Sequence, residues 1–182
     1  PDLQRFYHHG KKPMIPASVR HIVWDWNGTL LDDVDFSVAL MNELLAARNL
    51  PALTRERYRD IFTFPVKHYY EQLGFDTASD VFETVAMEFI GNYYRRVYPA
   101  CGLHPESLVA LSEFQARGYA QSLLSASERA ALVGVLKHFD VARFFEHVLG
   151  VDDHYGRGKA EIGGNWLKDT RADPRTILLI GD

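Results

Sequence analysis

The sequence predicts an α/β fold, a parallel sheet with an all-helical segment inserted into it, and three observations carry the prediction. The apolar run His21-Ile22-Val23-Trp24 ends abruptly in Asp25 and is short enough to be a buried strand. Over residues 35–97 the apolar positions recur at helical spacing, with no strand-like run between them. After Pro99 helix-like and strand-like stretches alternate three times, the pattern of parallel strands joined by right-handed crossovers.

The first twenty residues are polar and turn-rich, and His8, His9, Lys11 and Lys12 read as a solvated arm. The strand at 21–25 follows. Phe36, Leu40, Leu44 and Ala47 form the apolar stripe of a first helix, which the Leu50-Pro51 step ends. Thr54 suits the cap of a short helix carrying Tyr58, Ile61 and Phe62. Pro65 fits the first turn of a third helix, and Gly74 stops it after Leu73. Ser79 opens a longer helix with Phe82, Val85, Phe89 and Tyr93 on one stripe. These aromatic-rich stripes predict the core of a small bundle, and residues 62–67 form a loop tip whose one cation is Lys67. Beyond it, helices are expected at 105–117, 128–138 and 160–168, each followed by a strand, at 119–124, 144–149 and 176–180.

A chain of 182 residues is long enough for one substantial core, or a core with a small appendage. Its 47% hydrophobic and 24% charged residues are ordinary for a soluble globular protein. A net charge of −4 gives no electrostatic reason to expect nucleic acid or an anionic membrane as partner. Cys101 is the single cysteine, which excludes an internal disulfide and fits a reducing compartment. With no membrane-length apolar run and no secretory signal, a cytoplasmic location is expected. The stop at Ile180-Gly181-Asp182, directly after an apolar run, predicts further chain beyond Asp182. Oligomeric state is not legible.

If the four apolar runs are parallel strands of one sheet, their C-terminal ends share an edge, the usual place for ligands in open α/β sheets. That edge gathers Asp25, Ser125 and Asp182, and Lys159, beside Gly158 at a helix start, reaches it. Gly28 permits a tight turn that brings backbone N–H groups to an anion. Singly, each residue has an ordinary reading: Asp25 a turn, Lys159 a surface lysine, Asp182 a terminus, and Ser125 a helix cap, for which Ser127 is better placed. Together, two carboxylates, a hydroxyl and an ammonium are what holding a divalent cation and a phosphate requires.

The stretch Asp25-Trp26-Asn27-Gly28-Thr29-Leu30 resembles the first motif of the haloacid dehalogenase superfamily, an Asp, any residue, a second Asp, then Gly-Thr-Leu. Ser125 after an apolar strand, then Lys159, then Gly181-Asp182 follow the order of its other motifs, so the likeness runs from His21 to Asp182. The helical block lies where the phosphoglycolate phosphatase-like branch carries its cap. The resemblance implies a Rossmann-like core at 1–32 and 103–182, truncated at its C-terminus, with a helical cap at 33–102. It also implies a magnesium-dependent phosphatase for a small phosphorylated metabolite, such as phosphoglycolate or a sugar phosphate. Asp25 is then the nucleophile; Asp25, the Asn27 carbonyl and Asp182 hold Mg²⁺; Ser125, Lys159 and the N–H groups of Trp26, Asn27 and Ala126 bind the phosphate. Lys67 reaches from the cap to select the leaving group.

Asn27 departs from the motif. In the family's phosphatases the second Asp protonates the leaving oxygen and later activates water, and an amide does neither. The loss amounts to roughly 10²–10⁴-fold in rate. Such a site suits a substrate with a good leaving group, or one whose own acid transfers the proton. Two alternatives stay open: a catalytically impaired phospho-ligand binding homologue, and a phosphonoacetaldehyde hydrolase-like enzyme that cleaves a C–P bond through a lysine, for which Lys67 is the candidate.

Overall fold

The computed structural model describes residues 15–63, 65–151 and 159–181. His8, His9, Lys11, Lys12, Phe64, Gly158 and Asp182 therefore lie outside the described residues. In chain order the elements are β1 (His21–Trp24), α1 (Val34–Ala46), α2 (Arg55–Ile61), α3 (Val66–Leu73) and α4 (Ser79–Ala100). Then come α5 (Ser107–Ala116), β2 (Ala120–Glu128), α6 (Arg129–His138), β3 (His147–Val151), α7 (Lys159–Thr170) and β4 (Ile177–Ile180). The chain divides into two compact units, one of Pro1–Leu31 with Leu103–Asp182 and one of Asp32–Gly102.

The first unit is an α/β layer. Its sheet has the order β3-β2-β1-β4, with every described pairing parallel. A parallel sheet is covered on both faces, so its strands read as continuous apolar runs, as 21–24 does. On one face Val23 and Leu124 pack with Trp166 of α7, and Leu149, Ile162 and Ile177 close around them. On the other, Trp24 meets Phe114 of α5 edge-on at 5.5 Å, and Leu111 of α5 is fully buried. The buried Gln121 is satisfied from both sides, accepting from Trp24 Nε1 at 2.8 Å and donating to the Leu111 carbonyl at 3.0 Å. Burying an unpaired amide is costly, so this pair also fixes the Trp24 rotamer.

Two strand boundaries differ from the expectation. Residues 142–144 form a 3₁₀ turn that buries Phe144, so β3 begins at His147 instead of residue 144. The turn is set by Asp140, whose backbone lies in the left-handed region with φ of 54°. β2 runs on past Leu124 to Glu128, carrying Ser125, Ala126 and Ser127 within the strand. Ser127 is therefore not the cap of α6, whose cap position is Glu128, without a side-chain cap bond.

The second unit is helical among its described residues. Leu40, Met41, Leu44 and Leu45 of α1 are buried with Val85, Tyr93 and Val97 of α4. Ala47, expected on that stripe, is exposed, because α1 already ends at Ala46 and the chain turns through Asn49 with φ of 55°. Asn is among the few non-glycine residues that take this conformation readily. Thr54 caps α2, accepting the Arg57 N–H at 3.2 Å, and Gly74 ends α3 with φ of 91°, both as expected. Tyr58, Phe62 and Tyr69 form an aromatic cluster between α2 and α3, with ring centroids 5.0 to 5.9 Å apart. Burial, with Asp33 and Asp32 nearby, pushes the Cys101 thiol up to about 11. No helix among the described residues is long and apolar enough to cross a membrane.

His21 opens β1 with Nε2 at 2.8 Å from Ser122 Oγ and its ring against Trp166 at 5.1 Å. Burial lowers its pKa below the usual 6.5, Glu146 opposes part of that shift, and His147 adds to it. The unfolded chain therefore takes up this proton first as pH falls, so stability is lost from about pH 6.5 downward. Urea unfolding between pH 7 and 5.5 is expected to show a falling midpoint, with a smaller fall in His21→Gln. Equal slopes in the two proteins would overturn the assignment.

Candidate active site

At the C-terminal edge of the sheet the backbone of Asp25 extends the ladder, its N–H donating to the Ile180 carbonyl at 2.8 Å. The side chain turns inward and is only 7% exposed. The following loop is wound around one carbonyl: the N–H groups of Thr29, Leu30 and Leu31 all donate to Trp26 O, at 3.3, 3.0 and 2.9 Å. Gly28, with φ of 70°, supplies the left-handed step this turn needs. The loop fixes where Asn27 stands relative to Asp25.

Asp25 is held from two directions. Trp26 N–H donates to Oδ1 at 2.7 Å, and the Lys159 ammonium, on the first residue of α7, donates to Oδ2. A buried carboxylate needs such partners, since desolvating an unpaired charge costs several kcal/mol or more. The structure thus brings Asp25 and Lys159 together, from residues far apart in sequence. Trp26 N–H, expected on the phosphate, is engaged by the Asp25 carboxylate, while the Trp26 ring is buried and lies 6.3 Å from Phe139.

Gly181 explains how the carboxylate finds room. A Cβ there would lie 2.9 Å from Asp25 Cβ and 3.4 Å from Oδ2, so a larger residue displaces the side chain. Beside it opens a cavity of about 160 Å³ lined by Asp25, Leu124, Lys159, Leu179 and Gly181. That is smaller than the roughly 300–1,000 Å³ of pockets that enclose a whole drug-sized ligand. The cavity has room for a small group and not for a whole drug-sized ligand.

Asn27 is half-buried, and its Oδ1 accepts from Ser127 Oγ at 3.0 Å and from Ser125 Oγ at 3.4 Å. Ser125 is fully buried and accepts the Ser127 N–H at 3.0 Å; Ala126 lies between the two serines. Ser127 and Gly181 were not assigned these roles from sequence. The Ser-Ala-Ser run was the available signal for the first, and the Gly181-Asp182 pair ending the last strand for the second. Lys67 lies in the first turn of α3, half-buried, in the other unit.

The donor chemistry suits a hard cation. Asp25 offers carboxylate oxygen at a strand end where Gly181 leaves space, and Mg²⁺ prefers one or two carboxylates with waters completing its shell. Among the described residues no group of three or more His, Cys, Asp or Glu forms a metal cluster. The second carboxylate expected there, Asp182, lies outside the described residues.

A family model of haloacid dehalogenase-like hydrolases matches residues 22–182. An N-acetylmuramic acid 6-phosphate phosphatase of Pseudomonas putida is 26% identical over 163 residues, spanning 88% of this chain and 67% of that protein. A phosphoglycolate phosphatase of Vibrio vulnificus is 24% identical over 177 residues, spanning 93% of this chain and 78% of the relative. Among solved structures, a haloacid dehalogenase-like hydrolase from Streptococcus pneumoniae superposes with a TM-score of 0.74 at 17% identity, covering 91% of this chain and 76% of that one. At that identity the structural likeness is one of fold.

Proposed function

Because this chain belongs to the haloacid dehalogenase-like hydrolase family, we propose that it is a magnesium-dependent phosphatase acting on a small phosphomonoester, phosphoglycolate-like or a sugar phosphate. The observation that carries this reading is the inward-turned Asp25 carboxylate, paired with Lys159 at the mouth of a small cavity. Relatives named for N-acetylmuramic acid 6-phosphate and phosphoglycolate support the substrate class.

In this mechanism a carboxylate oxygen of Asp25 attacks phosphorus, and the bond from phosphorus to the leaving oxygen breaks, its electron pair leaving with that oxygen. The product on the protein is an aspartyl phosphate. Lys159 and Ser125, with the N–H groups of Asn27 and Ala126, hold the phosphoryl oxygens as charge builds on them. Asp25, the Asn27 carbonyl and Asp182 would hold Mg²⁺, whose charge would offset repulsion between carboxylate and phosphate dianion. The helical unit acts as a cap, with Lys67 meeting the leaving group and the cap excluding water from the first half-reaction. Asn27 neither protonates the leaving oxygen nor activates water, so those protons come from the substrate or solvent. Both half-reactions are accordingly slowed, the first most for substrates with poor leaving groups.

Release of phosphate from p-nitrophenyl phosphate, phosphoglycolate and a panel of sugar phosphates tests this. The expected result is turnover lost with EDTA and restored by Mg²⁺. Absence of release from every phosphomonoester would refute the phosphatase reading. Asn27 favours one second reading, a phospho-ligand binding protein, for which the same panel gives tight binding without turnover.

A further inference from the structure

Ser127 stands where a helix cap is expected and does something else. The β2–β3 pairing runs regularly from Ser122 opposite His147 to Leu124 opposite Leu149, then resumes with Glu128 opposite Val151. Ser125, Ala126 and Ser127 thus face Gly150 alone, a bulge in β2. Bulges bend a strand and re-aim its side chains, and they recur beside active sites. Gly150 makes this one possible: a Cβ there would lie 2.7 Å from the Ser127 carbonyl oxygen and 2.9 Å from Arg129 N. A side chain at 150 pushes directly on bulge backbone, which has no flexible end to give way.

The bulge presents both serines to the same atom. Ser125 Oγ accepts the Ser127 N–H and lies 3.4 Å from Asn27 Oδ1. Ser127 Oγ donates to the same oxygen at 3.0 Å. The Ser127 bond turns the amide oxygen toward the serines, so the opposite side of the carboxamide is its NH₂, a donor.

We propose that Ser127, carried on the Gly150-dependent bulge, is a positioning residue that locks the Asn27 carboxamide with its NH₂ as the group offered to a phosphoryl oxygen. The inference rests on the phosphatase reading for its ligand but not for the lock itself. A freely turning amide must be oriented as the anion binds, and the lock sets that orientation beforehand. Asn27 is then a fixed neutral donor, a part the ionised carboxylate of an Asp does not supply.

The test has two arms. In ¹⁵N-labelled protein without ligand, the Asn27 side-chain NH₂ resonances are identified by their loss in Asn27→Ala. Ser127→Ala is expected to shift them and speed their exchange with solvent by about 3- to 10-fold, the scale of one lost hydrogen bond, while Ser127→Thr keeps them. Unchanged resonances in Ser127→Ala overturn the lock. In the second arm, calorimetry measures inorganic phosphate binding in the presence of Mg²⁺. Ser127→Ala is expected to weaken it by about 3- to 10-fold, and to have no effect in the Asn27→Ala background. Equal weakening in both backgrounds means Ser127 acts otherwise than through Asn27, and the proposal fails. If the unmodified protein binds no phosphate while its amide responds as expected, the lock stands and the phosphatase reading falls.

Discussion

Asp25→Asn is expected to lower phosphate release by roughly 10³-fold or more while leaving the fold intact, because the substitution removes the nucleophile and keeps its shape. The amide is isosteric and fits the space left by Gly181, but its single oxygen accepts from only one of the two donors, the Trp26 N–H on Oδ1 and Lys159 on Oδ2. Removing the charge leaves Lys159 without its carboxylate, but that side chain is 35% exposed and can turn to solvent, so the cost is smaller than for a fully buried pair. Thermal unfolding is therefore expected within a few degrees of the unmodified protein, measured beside initial rates on p-nitrophenyl phosphate. Retained activity would mean that phosphate leaves without passing through this carboxylate.

Asn27→Asp is expected to raise turnover, by roughly 10²-fold or more on substrates with poor leaving groups. Ser125 and Ser127 already donate to the atom that becomes a carboxylate oxygen, so the new side chain enters with one oxygen hydrogen-bonded. The other takes the place of the amide nitrogen and is the oxygen expected to give and take protons. The gain should grow as the leaving group becomes more basic, since protonation matters most there, and the rate should acquire a pH dependence from the new acid. Rates are read across aryl phosphates of graded leaving-group acidity. An unchanged or lower rate on the poorest leaving group would show that position 27 does not limit the reaction.

Local pattern marked the elements of this fold well where one face or one run of side chains decided them. The 21–24 strand, the Thr54 cap and the Gly74 stop all depend on residues within a few positions of each other. Boundaries failed where distant packing prevailed. The apolar run at 144–149 begins with a phenylalanine that is buried in a turn, and the polar Ser-Ala-Ser run looks like the end of a strand but continues it. Hydrophobic periodicity carries no signal for a bulge, because its cause is a glycine more than twenty residues further along.

The site divides along the same line. By itself the sequence determined that an Asp-led, glycine-containing turn follows a buried strand, that a serine and a lysine follow later apolar runs, and that an amide replaces the second acid of the motif. Those are facts about residue type and order. Only the tertiary structure decided that Lys159 pairs with Asp25, that Gly181 is the residue whose missing side chain admits that carboxylate, and that Ser127 serves Asn27 instead of a helix. The reason is physical: parallel strands are joined by crossovers, so groups that meet at one sheet edge come from separate crossover units, and their contacts leave no short-range trace in the chain.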